Sequence, residues 1–342
     1  MIVDMPNTTI SKVAKKLVVL REQGGAVALG RVLTLVIETD FKGIEEAIKA
    51  ANDASREHPS RVIVLADDNA KSKKDARVDA QIRVGGDAGA SEVIVLRAYG
   101  EAASDPESLV TGLLLPDAPV VAWWPGEMPE NAAKSAIGRI ASRRITDVGA
   151  QKNPADFLRK LAKNYEAGDS DFAWTRLTPW RAQLAVVLDQ PPYDSVTSVE
   201  LTGSIDSPSI ELMAAWLELK LKVPVTIIKK SRDRAGHALF KLVLHRKNGD
   251  IVIARTTGDK AAITQPGQPD REITLPTRTL RECLAEDLRR LDADHMFGQV
   301  VTKGFSSAKA KPAGVKEVLT KKLSAKKSNA KKPVAKTAIK KA

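Results

Sequence analysis

Apolar positions along the chain follow two rhythms that alternate. Residues 30–39 (GRVLTLVIET), 61–66 (RVIVLA), 80–84 (AQIRV) and 92–99 (EVIVLRAY) are short apolar or alternating runs that read as strands. Around them, residues 10–22 and the series Ile44, Ala47, Ile48, Ala51 follow helical spacing. Ser104 with Glu107 three residues on forms a capping box, and the helix it opens must end before Pro116. A strand at 119–124, a helix near 131–141, the strand RITDV and a helix from Asn153-Pro154 to about Tyr165 follow. Strands alternating with helices predict an α/β layer structure with a largely parallel sheet, in which 80–99 is a hairpin. The polar AGDSD (167–171) marks a boundary. Beyond it the pattern predicts a helix near 179–189, a strand at 198–203, a helix opened by Ser207-Pro208, a strand at 224–228, three short strands (ALFKLVLH, DIVIART, REITL) and a closing helix.

The fold class is therefore α/β, with two domains at 1–168 and 169–302, the second α/β or α+β, and a tail at 303–342. Strand, capped helix, proline and strand recur in that order at 92–124 and 198–228. Internal duplication would produce this, as would any α/β unit.

The net charge of +12 lies in the tail. Residues 303–342 hold 13 lysines and one acid, Glu317, so 13 − 1 = +12, and residues 1–302 are left with 41 basic and 41 acidic groups. The folded body has no overall bias toward nucleic acid. The Lys/Ala/Ser/Pro tail reads as disordered, suited at most to weak nonspecific contact with nucleic acid or an acidic surface. The N-terminus lacks the pattern of a signal peptide, and the longest apolar stretch, 109–124, is broken by Pro116, Asp117 and Pro119, so a cytoplasmic protein without membrane contact is expected. The one cysteine, Cys283, sits on the apolar stripe of Leu280, Leu284, Leu288 and Leu291 and reads as a core thiol.

No catalytic constellation emerges. The glycines of RVGGDAGASE (83–92) do not fit G-x-G-x-x-G, join two strands, and include Asp87, which would repel a phosphate; a tight turn explains them. The four histidines lie far apart, and no zinc or nucleophile motif occurs. No cofactor, metal or catalytic residue is expected. Arginine and tryptophan cluster instead, in SRRITD (142–147) and FAWTRLTPWRAQL (172–184), and these residue types dominate interface hot spots. They also suit packing between domains. PVVAWWPGEMP (119–129) sets Trp123 beside Trp124, and successive strand residues point to opposite faces. One ring is expected in the core, and the other, Trp124, at the strand's carboxyl end, where partners of open α/β sheets gather.

Taken together, GRVLTLVIET, EHPSRVIVLADD, RVGGDAGASEVIVLRAYGE, LLLPDAPVVAWWPGEMP, RRITD and DFAWTRLTPWR strongly resemble the glucose-6-phosphate dehydrogenase assembly proteins of actinobacteria and cyanobacteria. The resemblance spans about residues 10–300 and leaves out the lysine tail. It implies a non-catalytic assembly factor and allosteric activator whose partner is glucose-6-phosphate dehydrogenase. The partner-binding residues it suggests are Asp87, Trp123, Trp124, Pro125, Gly126, Arg143, Arg144, Asp147, Arg176, Trp180 and Arg181. The alternative is an enzyme or sugar-phosphate-binding protein working at the same strand ends.

Overall fold

A computed structural model describes residues 1–23, 32–67, 75–85, 92–231 and 236–305. Asp87 and nearly all of the lysine-rich tail lie outside these residues, as does the behaviour expected of that tail. Two sheets organise the chain. The first runs β1 (Ile2–Met5), β4 (Arg77–Arg83), β5 (Glu92–Tyr99), β3 (Ser60–Asp67), β2 (Leu33–Asp40), β6 (Val120–Trp123), β7 (Arg143–Thr146), β8 (Asp169–Asp171). From β5 to β8 all neighbours are parallel, while β4 forms the expected antiparallel hairpin with β5 and β1 pairs with β4. Taken in chain order, the six parallel strands lie in the spatial order 3-2-1-4-5-6. This is the doubly wound order of dinucleotide-binding folds, with its topological switch point between β2 and β6.

Helices cover both faces. On one side α2 (Ile44–Ala54) packs beside α9 (Leu280–Arg289), and their Ala47, Ile48, Cys283 and Leu284 join Leu35, Ile37, Val121, Trp123 and Phe172 in one core. On the other side Val36, Ile63, Leu96 and Trp124 begin a second core. It continues through Trp174, Leu177 and Trp180 into the second sheet. The last helix but one thus returns to the first sheet, and the two domains share their packing.

The second sheet runs β10 (Val225–Lys230), β9 (Val196–Ser204), β11 (Leu239–Arg246), β12 (Ile251–Arg255), β13 (Lys260–Thr264), β14 (Arg271–Thr274), with α8 (Pro208–Leu221) against β9 and β10. Only β9 and β10 are parallel. They are neighbours joined through α8, whereas β5 and β6, the corresponding pair of the first half, lie on opposite sides of β3 and β2. The shared order of elements is therefore not a shared topology. No helix of the described residues is long and apolar enough to cross a membrane.

Several local expectations change. Pro106 takes the first helical position of α3 (Pro106–Thr111), so Asp105 caps it by accepting from the Ser108 amide, in place of Ser104. The helix near 131–141 shrinks to α4 (Ala136–Ile140). β1, β8 and β13 were not foreseen. The sequence of β8, Asp-Ser-Asp, looks like a linker, yet the strand is buried and carries the first sheet three residues past the expected boundary at 168/169. Ordered structure also runs past 302, because a π-turn at Val300–Gly304 packs on α8 with Val301 buried.

Candidate functional site

At the switch point, the carboxyl ends of β2 and β6 and the turn after β6 enclose an open crevice of about 510 Å³. A dinucleotide fold places its pyrophosphate here, on amides at the start of the first helix. In this chain those amides already have a partner. The turn into α2, residues 41–43, contains the single Gly43, and Asp40 Oδ1 accepts from the amides of Lys42 (3.1 Å) and Gly43 (2.8 Å). A built-in carboxylate stands where an anion would bind. Gly43 is needed for close approach, since a Cβ there would come within 2.3 Å of the Thr39 hydroxyl oxygen. Four more acids, Glu38, Glu46, Asp67 and Glu127, line the crevice, and among the described residues lining it none is basic. Burial pushes the Glu38 carboxyl above the usual range; a hydrogen bond from Trp124 Nε1 (2.7 Å) opposes this and the nearby Asp67 reinforces it.

The tryptophan pair obeys the strand alternation but not the fate drawn from it. Trp123 is fully buried among Ile37, Val121 and Phe172, its ring 6.0 Å from that of Phe172. Trp124 is 2% exposed and belongs to the opposite core. Both faces of a doubly wound sheet are covered, so the opposed side chains both enter a core, and Trp124 reaches the crevice only as part of its inner wall. What β6 presents outward is the turn that follows, where Pro125 is half-buried and Gly126 and Glu127 are exposed at the crevice rim.

The arginines expected at a partner surface are mostly internal. Arg143 of β7, 5% exposed, donates to Asp287 on α9 (2.5 Å) and to the Asp292 carbonyl (2.8 Å). Asp287 also accepts from Ser170 (2.5 Å) and Thr175 (2.7 Å). Arg144 donates to Asp169 (2.5 Å) and to the carbonyls of Ala141 and Ala167. Arg176 grips Asp147 with two bonds of 2.7 and 2.6 Å. Burial disfavours the Arg176 charge, but the Asp147 bonds outweigh it and hold the guanidinium above its ordinary pKa. Arg181 lies 3.8 Å over the Trp174 ring, and burial lowers it to about 10. Trp180 is 3% exposed and faces Arg255 across 5.6 Å. A buried cation needs a matched partner, and here the partners lie 144, 25 and 29 residues away in the chain.

Beside this network, Asp171 is fully buried and accepts from the Thr146 hydroxyl and the amides of Val148 and Ala173; burial, then the charge of Asp147, pushes it up to about 7. Cys283 is buried as expected, and its surroundings raise the thiol to about 12. No cluster of metal-ligating side chains occurs among the described residues. The acids of the crevice were missed in the sequence because nothing local distinguishes Glu38, Asp40 and Asp67 from surface carboxylates; their convergence follows only from the strand order.

Comparison with known proteins sets this geometry in context. The chain is 27% identical over 201 residues to the OxPP cycle protein OpcA of Synechocystis sp., a match covering 55% of this chain and 40% of that relative. Among solved structures, glucose-6-phosphate 1-dehydrogenase from Mycobacterium avium aligns with a TM-score of 0.44 at 10% identity, over 84% of this chain and 94% of that one. Biliverdin reductase from Synechocystis sp. aligns at 0.42 and 11%, over 81% and 98%. Likenesses this distant carry no functional argument. The family models are more telling. Residues 51–163 match the N-terminal domain of a glucose-6-phosphate dehydrogenase subunit and residues 167–301 its C-terminal domain, in that order and nearly without a gap, so the chain belongs to the glucose-6-phosphate dehydrogenase assembly protein family.

Proposed function

We propose that the chain is a non-catalytic partner of glucose-6-phosphate dehydrogenase that promotes its assembly and activates it allosterically. The observation that carries the non-catalytic part is Asp40, whose carboxylate occupies the turn amides at the switch point. Asp40 and the four other acids would repel a pyrophosphate, so the fold keeps the dinucleotide topology without the dinucleotide site. The same crevice suits a basic segment of a partner, and the exposed turn at 125–127 forms its rim. Family membership supplies the identity of that partner. Trp123 and Trp124 serve this surface from beneath, anchoring the strand that carries the turn.

The test is a titration of the purified protein into the dehydrogenase of its own organism. Alone it should not reduce NADP with glucose 6-phosphate. Added to the enzyme it should raise the rate or shift the enzyme's apparent mass, and Glu127→Lys at the rim should weaken the effect. No change up to micromolar excess would refute the association, and NADP reduction by the protein alone would refute the non-catalytic assignment.

A further inference from the structure

A second cavity, of about 280 Å³, opens at the junction of the two domains and has the opposite electrical character. Arg176 contributes from the first-sheet side, Arg255 from the end of β12, and Arg278 from the segment leading into α9. Among the described residues of the wall Asp147 is the one acid, so these residues carry 3 − 1 = +2. Each arginine is fixed in place. Arg176 is held by Asp147, Arg255 by the carbonyls of Leu239 (3.1 Å) and Leu275 (2.6 Å) with Trp180 beneath it, and Arg278 by Glu286. A guanidinium has five donors in a planar fork, so the bonds of Arg176 and Arg278 to their own carboxylates leave further donors for an anion.

The start of the 14-residue helix α8 adds to this field. Ser207, Pro208 and Ser209 line the cavity, and Ser207 at the cap position makes no side-chain capping bond to the first-turn amides. The positive end of the helix faces the same space as the arginines. Glu211, the acid of that first turn, is engaged by Lys229 at 3.3 Å and lies outside the cavity wall.

The geometry points to a binding site for a phosphate monoester, a small phosphorylated metabolite, held by Arg176, Arg255 and Arg278 against the first-domain wall of Asp147, Gly149 and Ala150. The volume is at the small end for ligand pockets and suits a phosphate with a small polar body. Both domains supply groups to it, so an occupant stabilises one relation between them. The inference concerns the isolated chain and stands whether or not the dehydrogenase is its partner.

Calorimetric titration of the full-length protein with inorganic phosphate, glucose 6-phosphate and glucose tests it. The two phosphates should bind at millimolar concentration or below and glucose should not; tighter binding of glucose 6-phosphate would mean that the sugar is also contacted. Arg278→Ala removes a partly exposed side chain with little risk to the fold, and it should weaken binding of both phosphates by about tenfold or more. Arg281→Ala, on α9 but outside this cavity, should leave binding unchanged. Absence of heat with either phosphate at ten millimolar, on the order of the weakest useful affinity, would overturn the site. So would equal losses in the two variants, which would mark diffuse attraction to surface arginines.

Discussion

Replacing Asp287 by alanine would test how the two domains are joined. Asp287 is 3% exposed on α9 and accepts from Arg143 on β7, Ser170 on β8 and Thr175 at the end of the short helix α6 (Phe172–Thr175) that follows β8. Removing it leaves the Arg143 side chain, 6% exposed, donating to the Asp292 carbonyl, and takes the carboxylate from the Ser170 hydroxyl, while the Thr175 hydroxyl keeps the Asp171 carbonyl at 3.3 Å. Breaking a buried pair by deleting one partner costs roughly 3–5 kcal/mol. The lost hydrogen bonds to a charged group are part of that figure and do not add to it. Against a total stability of about 5–15 kcal/mol, the loss is large. Urea unfolding followed by tryptophan fluorescence measures it. Glu57→Gln, which removes the charge from the exposed Glu57–Arg289 contact between the turn after α2 and the end of α9, should change nothing measurable. The charge argument makes a further demand: in Arg143→Met/Asp287→Leu neither charge is buried alone, so the double variant should recover more than half of the loss. A cost below about 1 kcal/mol for Asp287→Ala, or strictly additive single and double changes, would refute the reasoning.

Trp123→Ala and Trp124→Ala should each destabilise the fold by roughly 3–5 kcal/mol in the same assay, because both rings fill cores; a wild-type melt for either would contradict the packing. Asp171 should make stability fall as pH rises. Its carboxyl, raised to about 7 when folded, binds a proton that the unfolded chain releases near pH 4, so stability present below pH 4 is lost up to about pH 7; Asp171→Asn should flatten that part of the urea midpoint against pH. Cys283, raised to about 12 and buried, should resist a thiol reagent at pH 8 in the native protein and react fully in denaturant.

Much of the architecture was legible in the chain because it rests on local signals. Continuous apolar runs gave β2, β3 and β5 to within about three residues at each end, and Asn153-Pro154 and Ser207-Pro208 marked the starts of α5 (Pro154–Asn164) and α8. β8 was not legible. Its three residues are polar and buried, and beside the local Glu166 and Ala173 amides they depend on groups brought in from elsewhere: Arg144 on Asp169, Asp287 on Ser170, Thr146 on Asp171. The same physics misplaced the arginines. A guanidinium enters a core only with a carboxylate or carbonyls already waiting, and sequence alone does not pair Arg143 with an aspartate 144 residues away.

The two cavities divide the charges of a nearly neutral body between opposite tasks. In an ordinary dinucleotide fold the switch point carries the positive field, supplied by backbone amides, and a ligand brings the negative charge. Here Asp40 brings it from within the chain, which frees that crevice to attract cations. The positive field is rebuilt at the domain junction from arginine side chains and the start of α8. Arg176 and Asp147 sit in that wall as one pair, and the 3₁₀ turn at Val148–Ala150 bends tightly around them. Gly149 leaves room there, since a Cβ would stand 3.2 Å from Asp147 Oδ1 and 3.5 Å from Arg176 Nη1. An anion drawing on Arg176 would act on the bonds that hold β7 to α6 (Phe172–Thr175), and through Asp287 on the helix that closes the first sheet. Gln151 Nε2 donates both to the Asp147 carbonyl (3.0 Å) and to the Gly126 carbonyl at the crevice rim (2.8 Å), so occupancy of the junction and the rigidity of the tryptophan-backed crevice are linked through hydrogen bonds, and each should report on the other.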